Sequence, residues 1–296
     1  MNPVLKGYLI LARPANLPSA AADIIAGTSI AGAFALLPMT DVLTLDFIAL
    51  VFASVFLYAG GVVLNDVFDV EIDRAERPER PIPSNLIPFK RAAFYGAVLL
   101  LLGIVLAFTV NATCGIIAFS LALAILSYDA FAKKHPFFGP LNMGICRGLN
   151  LLLGMAILVN FSYIEFIFVP IVYIAAITMI SRGEVHGNNK KSIAFAGLLY
   201  AIVLAAIITL LTIHQMNLLV ALPFLALFGF LIFRPLINAF RVNSPENIKN
   251  AVKTGVISLV VMDACIVVGF STWWLGLLTL LLLPLSILMA KSFAVT

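Results

Sequence analysis

Ten long apolar runs, each near the length of a bilayer crossing, leave this chain few architectures. They fall at about 16–37, 47–66, 92–110, 113–131, 139–160, 163–181, 193–213, 217–234, 254–270 and 273–290. A transmembrane helix needs about 20 consecutive apolar residues. In lipid every backbone polar group must be satisfied inside the protein, so runs of this length form helices. The breaks between them carry Pro, Asn and charged residues, as helix ends do. Composition points the same way: 62% of the 296 residues are hydrophobic and 11% are charged, against roughly 45–50% and about 25% in soluble domains. The expected fold is an all-α, polytopic transmembrane bundle of nine to ten helices, built as one domain over 1–296.

The basic residues test this map. With the breaks assigned to alternate sides, one side holds Lys6, Arg13, Arg74, Arg77, Arg80, Lys90, Arg91, Lys133, Lys134, Arg182, Lys190, Lys191, Arg234, Arg241, Lys249, Lys253 and Lys291. That is all but one of the 18 Lys and Arg; the exception, Arg147, lies inside the fifth run. The positive-inside rule assigns the basic side to the cytoplasm, with the N-terminus on it. Lys291 joins that side only if the last run spans, which favours ten helices over nine. The chain is expected in the plasma membrane, or the inner membrane if bacterial. The start MNPVLKGYLILARP lacks a small-residue cleavage site, so the first helix is expected to remain as an anchor. The net charge of +4 is accounted for by this bias, and there is no nucleic-acid motif. Cys114, Cys146 and Cys265 show no metal-ligand spacing and read as core residues.

The long polar loops all fall on the basic side, so any chemistry is expected there. The strongest signal is LNDVFDVEIDRAERPERPIP at 64–83. On a continued helix, Asp66, Asp69 and Asp73 fall within about 60° of one another. Three aligned carboxylates repel unless something positive sits among them, and an all-oxygen cluster suits Mg²⁺. Asn65 adds a neutral oxygen. Arg74, Arg77 and Arg80 follow, and arginine forks match phosphate oxygens. Acids for a metal beside arginines for phosphate, at a membrane face, point to a diphosphate with a lipid tail.

The run NDxxDxxxD followed by RxxRP resembles the first aspartate-rich motif of the UbiA superfamily of intramembrane prenyltransferases. ARPANL at 12–17 is similar to that family's entry to helix one, and Tyr128 with Lys133 and Lys134 to its element after helix four. The resemblance implies a central cavity open to the cytoplasmic face. It implies Mg²⁺ and the diphosphate of an isoprenoid held by two acidic motifs, and membrane lipid around a lateral tunnel. It assigns Asp66, Asp69 and Asp73 to the first metal site, with Asn65, and Arg77, Arg80, Lys133 and Lys134 to the diphosphate. The second motif departs from the family's DxxxD: the chain reads SRGEVHGNNKKS at 181–192, with Glu184 and Asn188 in the two aspartate positions. Glu184 is then the remaining catalytic and metal-ligating acid, with Asn188 and Lys190 as substrate contacts. MGICRGLNLLLG at 143–154 and EVHGNNK together resemble the EboC-type subgroup of this superfamily.

Three ionisable residues lie inside apolar runs: Arg147, Asp23 and Asp263. Such groups are costly in lipid and face a polar cavity or one another. Arg147 reads equally as a cavity contact to diphosphate or acceptor and as a structural ion pair with one of the aspartates. The two aspartates read as structural. Asn16 and Asn150 read as cavity-facing or as helix-packing groups. No general base is evident, and Asp129, beside Tyr128, is a candidate. The expected activity is Mg²⁺-dependent prenyl transfer from an isoprenoid diphosphate to a lipophilic or aromatic acceptor. The alternative is a non-catalytic isoprenoid or amphiphile carrier on the same scaffold. Oligomeric state is not legible.

Overall fold

The computed structural model describes residues 2–36, 38–181 and 190–292. Among them the elements are helices joined by short turns. They are α1 Pro3–Ala12, α2 Leu17–Ile30, α3 Asp41–Phe68, α4 Val70–Glu76, α5 Phe89–Val110, α6 Ala112–Ala130 and α7 Phe138–Met155. There follow α8 Phe168–Ser181, α9 Lys190–Ile213, α10 Leu218–Arg241, α11 Pro245–Ile257, α12 Leu259–Phe270, α13 Trp273–Leu280 and α14 Leu282–Ser292. Nine helical segments among the described residues are long and apolar enough to cross a membrane, with α11–α12 and α13–α14 each acting as one. The chain is therefore an integral, multi-pass membrane protein. Large apolar side chains such as Phe94, Leu101 and Leu219 stand exposed on its outer surface, where lipid replaces water.

The first apolar run holds a short helix, since α2 has 14 residues. It nevertheless runs between the same two ends of the bundle as its neighbours. Arg13, just before it, is bonded to Asp66 at the end of α3. Ala31, just after it, accepts a hydrogen bond from Asn160 at the opposite end. Phe34 meets Phe47 near the start of α3. With its flanking 3₁₀ turns, Pro14–Asn16 and Ala33–Leu36, this segment makes a tenth traverse. The last helix, α14, packs back against Pro14–Asn16 and α2.

Several helices outrun their apolar windows. The expected 47–66 becomes Asp41–Phe68, and the expected 254–270 starts at Pro245. Thr40 and Ser244 set those starts by accepting N–H bonds in the first turn, as Ser and Thr caps do. At the end away from α4, a single residue joins α5 to α6. Asn111 caps α6 by accepting from Cys114 N–H at 2.8 Å and ties it to Ala156 O at 3.0 Å.

Two apolar clusters share the middle of the bundle, and α2 and α7 contribute to both. Those helices meet through glycine: a Cβ on Gly27 would lie 2.3 Å from Leu151 O, and one on Gly154 2.7 Å from Ile24 O. Small residues allow such backbone approach in lipid, where no hydrophobic force pulls helices together. This close crossing holds Arg147 and Asn150 of α7 against α2, in the wall of the cavity described next.

Candidate active site

Proline and one left-handed residue shape the charged face. Arg13 has φ +46° and donates its N–H to Ile10 O, so α1 stops before Pro14. Residues preceding proline avoid the α region, and here the stop turns the Arg13 side chain onto Asp66. At this same end of α3, the ladder nearly continues through Asp69: Asp69 N–H donates to Asn65 O at 3.0 Å and Asp73 N–H to Asp69 O at 2.8 Å. The three aspartates thus keep helical spacing. Arg77 precedes Pro78 and leaves the helix, with φ −143° and ψ 60°. Arg80 N–H then bonds Arg77 O, and the turn brings Arg80 back over the acids.

Each of the three aspartates meets a cation. Asp66 takes Arg13 Nη2 at 2.6 Å and Arg80 Nη1 at 3.4 Å. Asp73 takes Arg80 Nη1 at 2.7 Å, and Asp69 takes Lys133 Nζ at 2.5 Å. Asn65 donates to Asp129 Oδ1 at 2.7 Å. Three segments far apart in sequence, 13, 65–80 and 129–133, therefore close into one ionic face.

Beneath this face lies a cavity of about 370 Å³. Arg13, Asn16, Asn65, Tyr128 and Asp129 line it at the charged end, and Ser19, Ser54, Arg147 and Asn150 line it within the membrane. The rest of its wall is mainly apolar, including Leu121, Ile125, Ile174, Ile177, Val256 and Leu259. Arg147 is buried, paired with Asp23 at 2.8 Å, and donates to Ser19 O. Asn150 donates to Asp23 Oδ2 at 2.8 Å and accepts from Ser54 at 2.7 Å. Arg147 therefore lines the cavity and is an ion-pair partner at once. Asn150 likewise lines the cavity and makes hydrogen bonds between helices.

Not every expected residue joins the site. Arg77 and Lys134 are exposed, and neither takes part in an ion pair among the described residues. Lys190 lies over the Phe240 ring, 5.9 Å from its centroid. Glu184 and Asn188 lie outside the described residues. Conversely, Arg13 enters the site from a position that the sequence marked only by the ARPANL run. Asp129, Tyr58 and Cys146 line the cavity, although Cys146 read as a core residue. Chain order gave no signal for Tyr58, which only the rotation of α3 places on this wall.

The donor set suits the metal that the motif implies. Asp66, Asp69, Asp73, Asp129 and Asn65 offer oxygen alone, the donor that Mg²⁺ selects. Asp129 Oδ2 is buried with no hydrogen-bond partner among the described residues, an acceptor left open toward a cation. Among the described residues no three acidic, His or Cys side chains already converge on one point, because Arg13, Arg80 and Lys133 now occupy the carboxylates. The residues fit the ion in kind, with those cations as the groups that must exchange.

Fold and site together define a polytopic helical membrane protein with a lipid-level chamber under a face of paired acids and bases. Residues 25–259 match the UbiA prenyltransferase family, and the chain belongs to that family. It is 41% identical over 157 residues to a digeranylgeranylglyceryl phosphate synthase of Methanococcoides burtonii. That match covers 52% of this chain and 55% of the relative, so the chain spans about half the length of that curated relative. A solved digeranylgeranylglyceryl phosphate synthase is 26% identical, with TM-score 0.69 over 90% of this chain and 98% of its own. A UbiA homologue from Archaeoglobus fulgidus, solved with GPP and Mg²⁺, shares the fold at 16% identity and TM-score 0.62, over 84% of this chain and 99% of its own. The EboC-type resemblance rests on its own residues, apart from these relatives.

Proposed function

We propose that this chain transfers a prenyl group from an isoprenoid diphosphate to an acceptor within the membrane, in a Mg²⁺-dependent reaction. One observation carries the reading: Asp66, Asp69 and Asp73 are each held by a cation, in a face whose Arg13, Asn65 and Asp129 line a largely apolar cavity. Such pairs are poised to exchange. Asp66, Asp69 and Asp73, with Glu184 of the second motif, would hold the ion. Arg13, Arg80 and Lys133, released from the carboxylates, would bind the phosphate oxygens. Bound Mg²⁺ supplies charge neutralisation of the leaving diphosphate. The chain's own cations add to this most strongly as charge moves onto the leaving group, and that difference is what accelerates the reaction. The apolar wall excludes water from the allylic cation. The rings of Tyr58 and Tyr128, both on the wall, offer faces that attract positive charge.

The relatives' name, for a synthase of a geranylgeranyl-bearing glyceryl phosphate, favours a lipophilic glyceryl phosphate over an aromatic acceptor. The basic face is assigned to the cytoplasm on the charge bias. The second reading, a carrier, is motivated by Glu184 and Asn188 standing where two aspartates are usual.

The deciding experiment incubates purified protein with Mg²⁺, prenyl diphosphates of several lengths, and either geranylgeranylglyceryl phosphate or an aromatic acceptor. Acceptor-dependent diphosphate release is expected, and its absence with all of them, despite tight diphosphate binding, would establish the carrier. In an enzyme Glu184→Gln lowers turnover more than affinity, since the lost contact grows toward the transition state.

A further inference from the structure

Deeper in the membrane, α2, α7 and α12 bring together two acids and one base. Asp23 and Asp263 are 0% exposed, and Arg147 is buried between them and the cavity. Asp23 Oδ2 receives both Arg147 and Asn150. Among the described residues Asp23 Oδ1 and both oxygens of Asp263 have no donor, yet α12 packs against α2 and sets the two carboxyl groups within hydrogen-bond reach of each other. The other titratable groups facing Asp263 are Cys265 on its own helix and Tyr173 on α8, and neither brings a positive charge.

Two carboxylates and one guanidinium would leave a net negative charge in a lipid-level interior, which is strongly unfavourable. One proton removes it, and the hydrogen bonds say where it sits. Asp23 already takes the Asn150 amide and the Arg147 guanidinium on Oδ2, whereas Asp263 has no donor among the described residues.

We propose that Asp263 is kept as the neutral acid, donating its O–H to Asp23 Oδ1, and that this pair positions Arg147 to contact an oxygen of the second substrate's polar head. The arrangement satisfies Asp23 fully. It holds the guanidinium between the Asp23 carboxylate, in ion-pair contact, and Ser19 O, on the wall of the cavity that Arg147 lines. Ser19 lies six residues beyond Arg13, so Arg147 sits roughly 9 Å below the ionic face by helical rise. That is the layer where an acceptor head would meet the reacting end of the prenyl chain. With its charge balanced by Asp23, Arg147 recognises a hydrogen-bond acceptor rather than drawing a second diphosphate. Asp23 and Asp263 are positioning residues, and their part in catalysis rests on the prenyltransferase reading.

The test uses full-length wild type, Asp263→Asn and Asp263→Val in detergent. Infrared spectra of wild type at neutral and alkaline pH should show a carboxylic-acid carbonyl band that Asp263→Asn removes. Asn still offers an N–H to Asp23, so the KM for geranylgeranylglyceryl phosphate should stay within about twofold of wild type. Val offers none, so that KM should rise about tenfold while the Kd for geranyl diphosphate with Mg²⁺ is unchanged. Absence of the band, its survival in Asp263→Asn, or equal changes of KM and Kd in Asp263→Val would overturn the proposal. A protein that shows the Asp263 band but no turnover would sink the catalytic reading and the role of Arg147, and leave the shared proton standing.

Discussion

The protein uses aspartate and arginine twice, and the two sites behave as opposites. At the face, each pair has a member with some access to solvent: Arg13 is 28%, Arg80 14% and Asp69 24% exposed, while Asp66 and Asp73 are 8% and 7%. In the membrane, Arg147 and Asp23 are 7% and 0% exposed, and Asn150 and Ser19 hold them further. A partly hydrated ion pair contributes little net stability and dissociates readily. A desolvated pair is costly to form and more costly to break. The same chemistry therefore serves as an exchangeable binding surface at one depth and as a fixed strut about 9 Å deeper.

The largest effect should come from the strut. Arg147→Leu leaves Asp23 uncompensated and should destabilise the protein by about 3–5 kcal/mol, read by denaturant unfolding in detergent. Asp23→Asn added to it should recover part of the loss. Loss of less than about 1 kcal/mol would erase the contrast with the face.

At the face the damage should be functional. Asp66→Ala removes the acid that Arg13 and Arg80 share and should lower Mg²⁺-dependent diphosphate release about 10²–10³-fold. Its unfolding midpoint should stay close to that of the wild type. Collapse of stability with retained turnover would reverse the two roles.

Lys133→Ala should weaken geranyl diphosphate binding about tenfold, as expected for one charge-assisted contact, measured by calorimetry with Mg²⁺. The smallest effect is expected for Arg77→Ala and Lys134→Ala. Both residues are exposed, and each change should shift that Kd less than about twofold. A tenfold loss at either would show that the face extends further than the ion pairs mark.

Much of the site was legible because it lies on about two turns of helix. Periodicity alone aligned Asp66, Asp69 and Asp73, and the prolines at 78 and 81 announced the turn that folds Arg80 back. Arg77 and Lys134 look like their neighbours in sequence, and only the direction of each side chain separates them from Arg80 and Lys133. Arg13 was the reverse case. Its role depends on a left-handed residue before Pro14, which no charge pattern encodes.

What the sequence determined by itself was the solvent and the ladder: apolar runs of bilayer length force helices, and basic residues on alternate breaks fix which ends share a side. Those are local properties, set by backbone hydrogen bonding and by the cost of charge in lipid. The tertiary structure decided which acid meets which base. Asp23 and Asp263 lie 240 positions apart, and their contact exists only because α2 packs between α7 and α12. The Gly27–Gly154 approach lets α7 press Arg147 against that pair. Nothing in the spacing of single residues carries that information, because helix packing in lipid is decided by the shape of whole faces rather than by local preference.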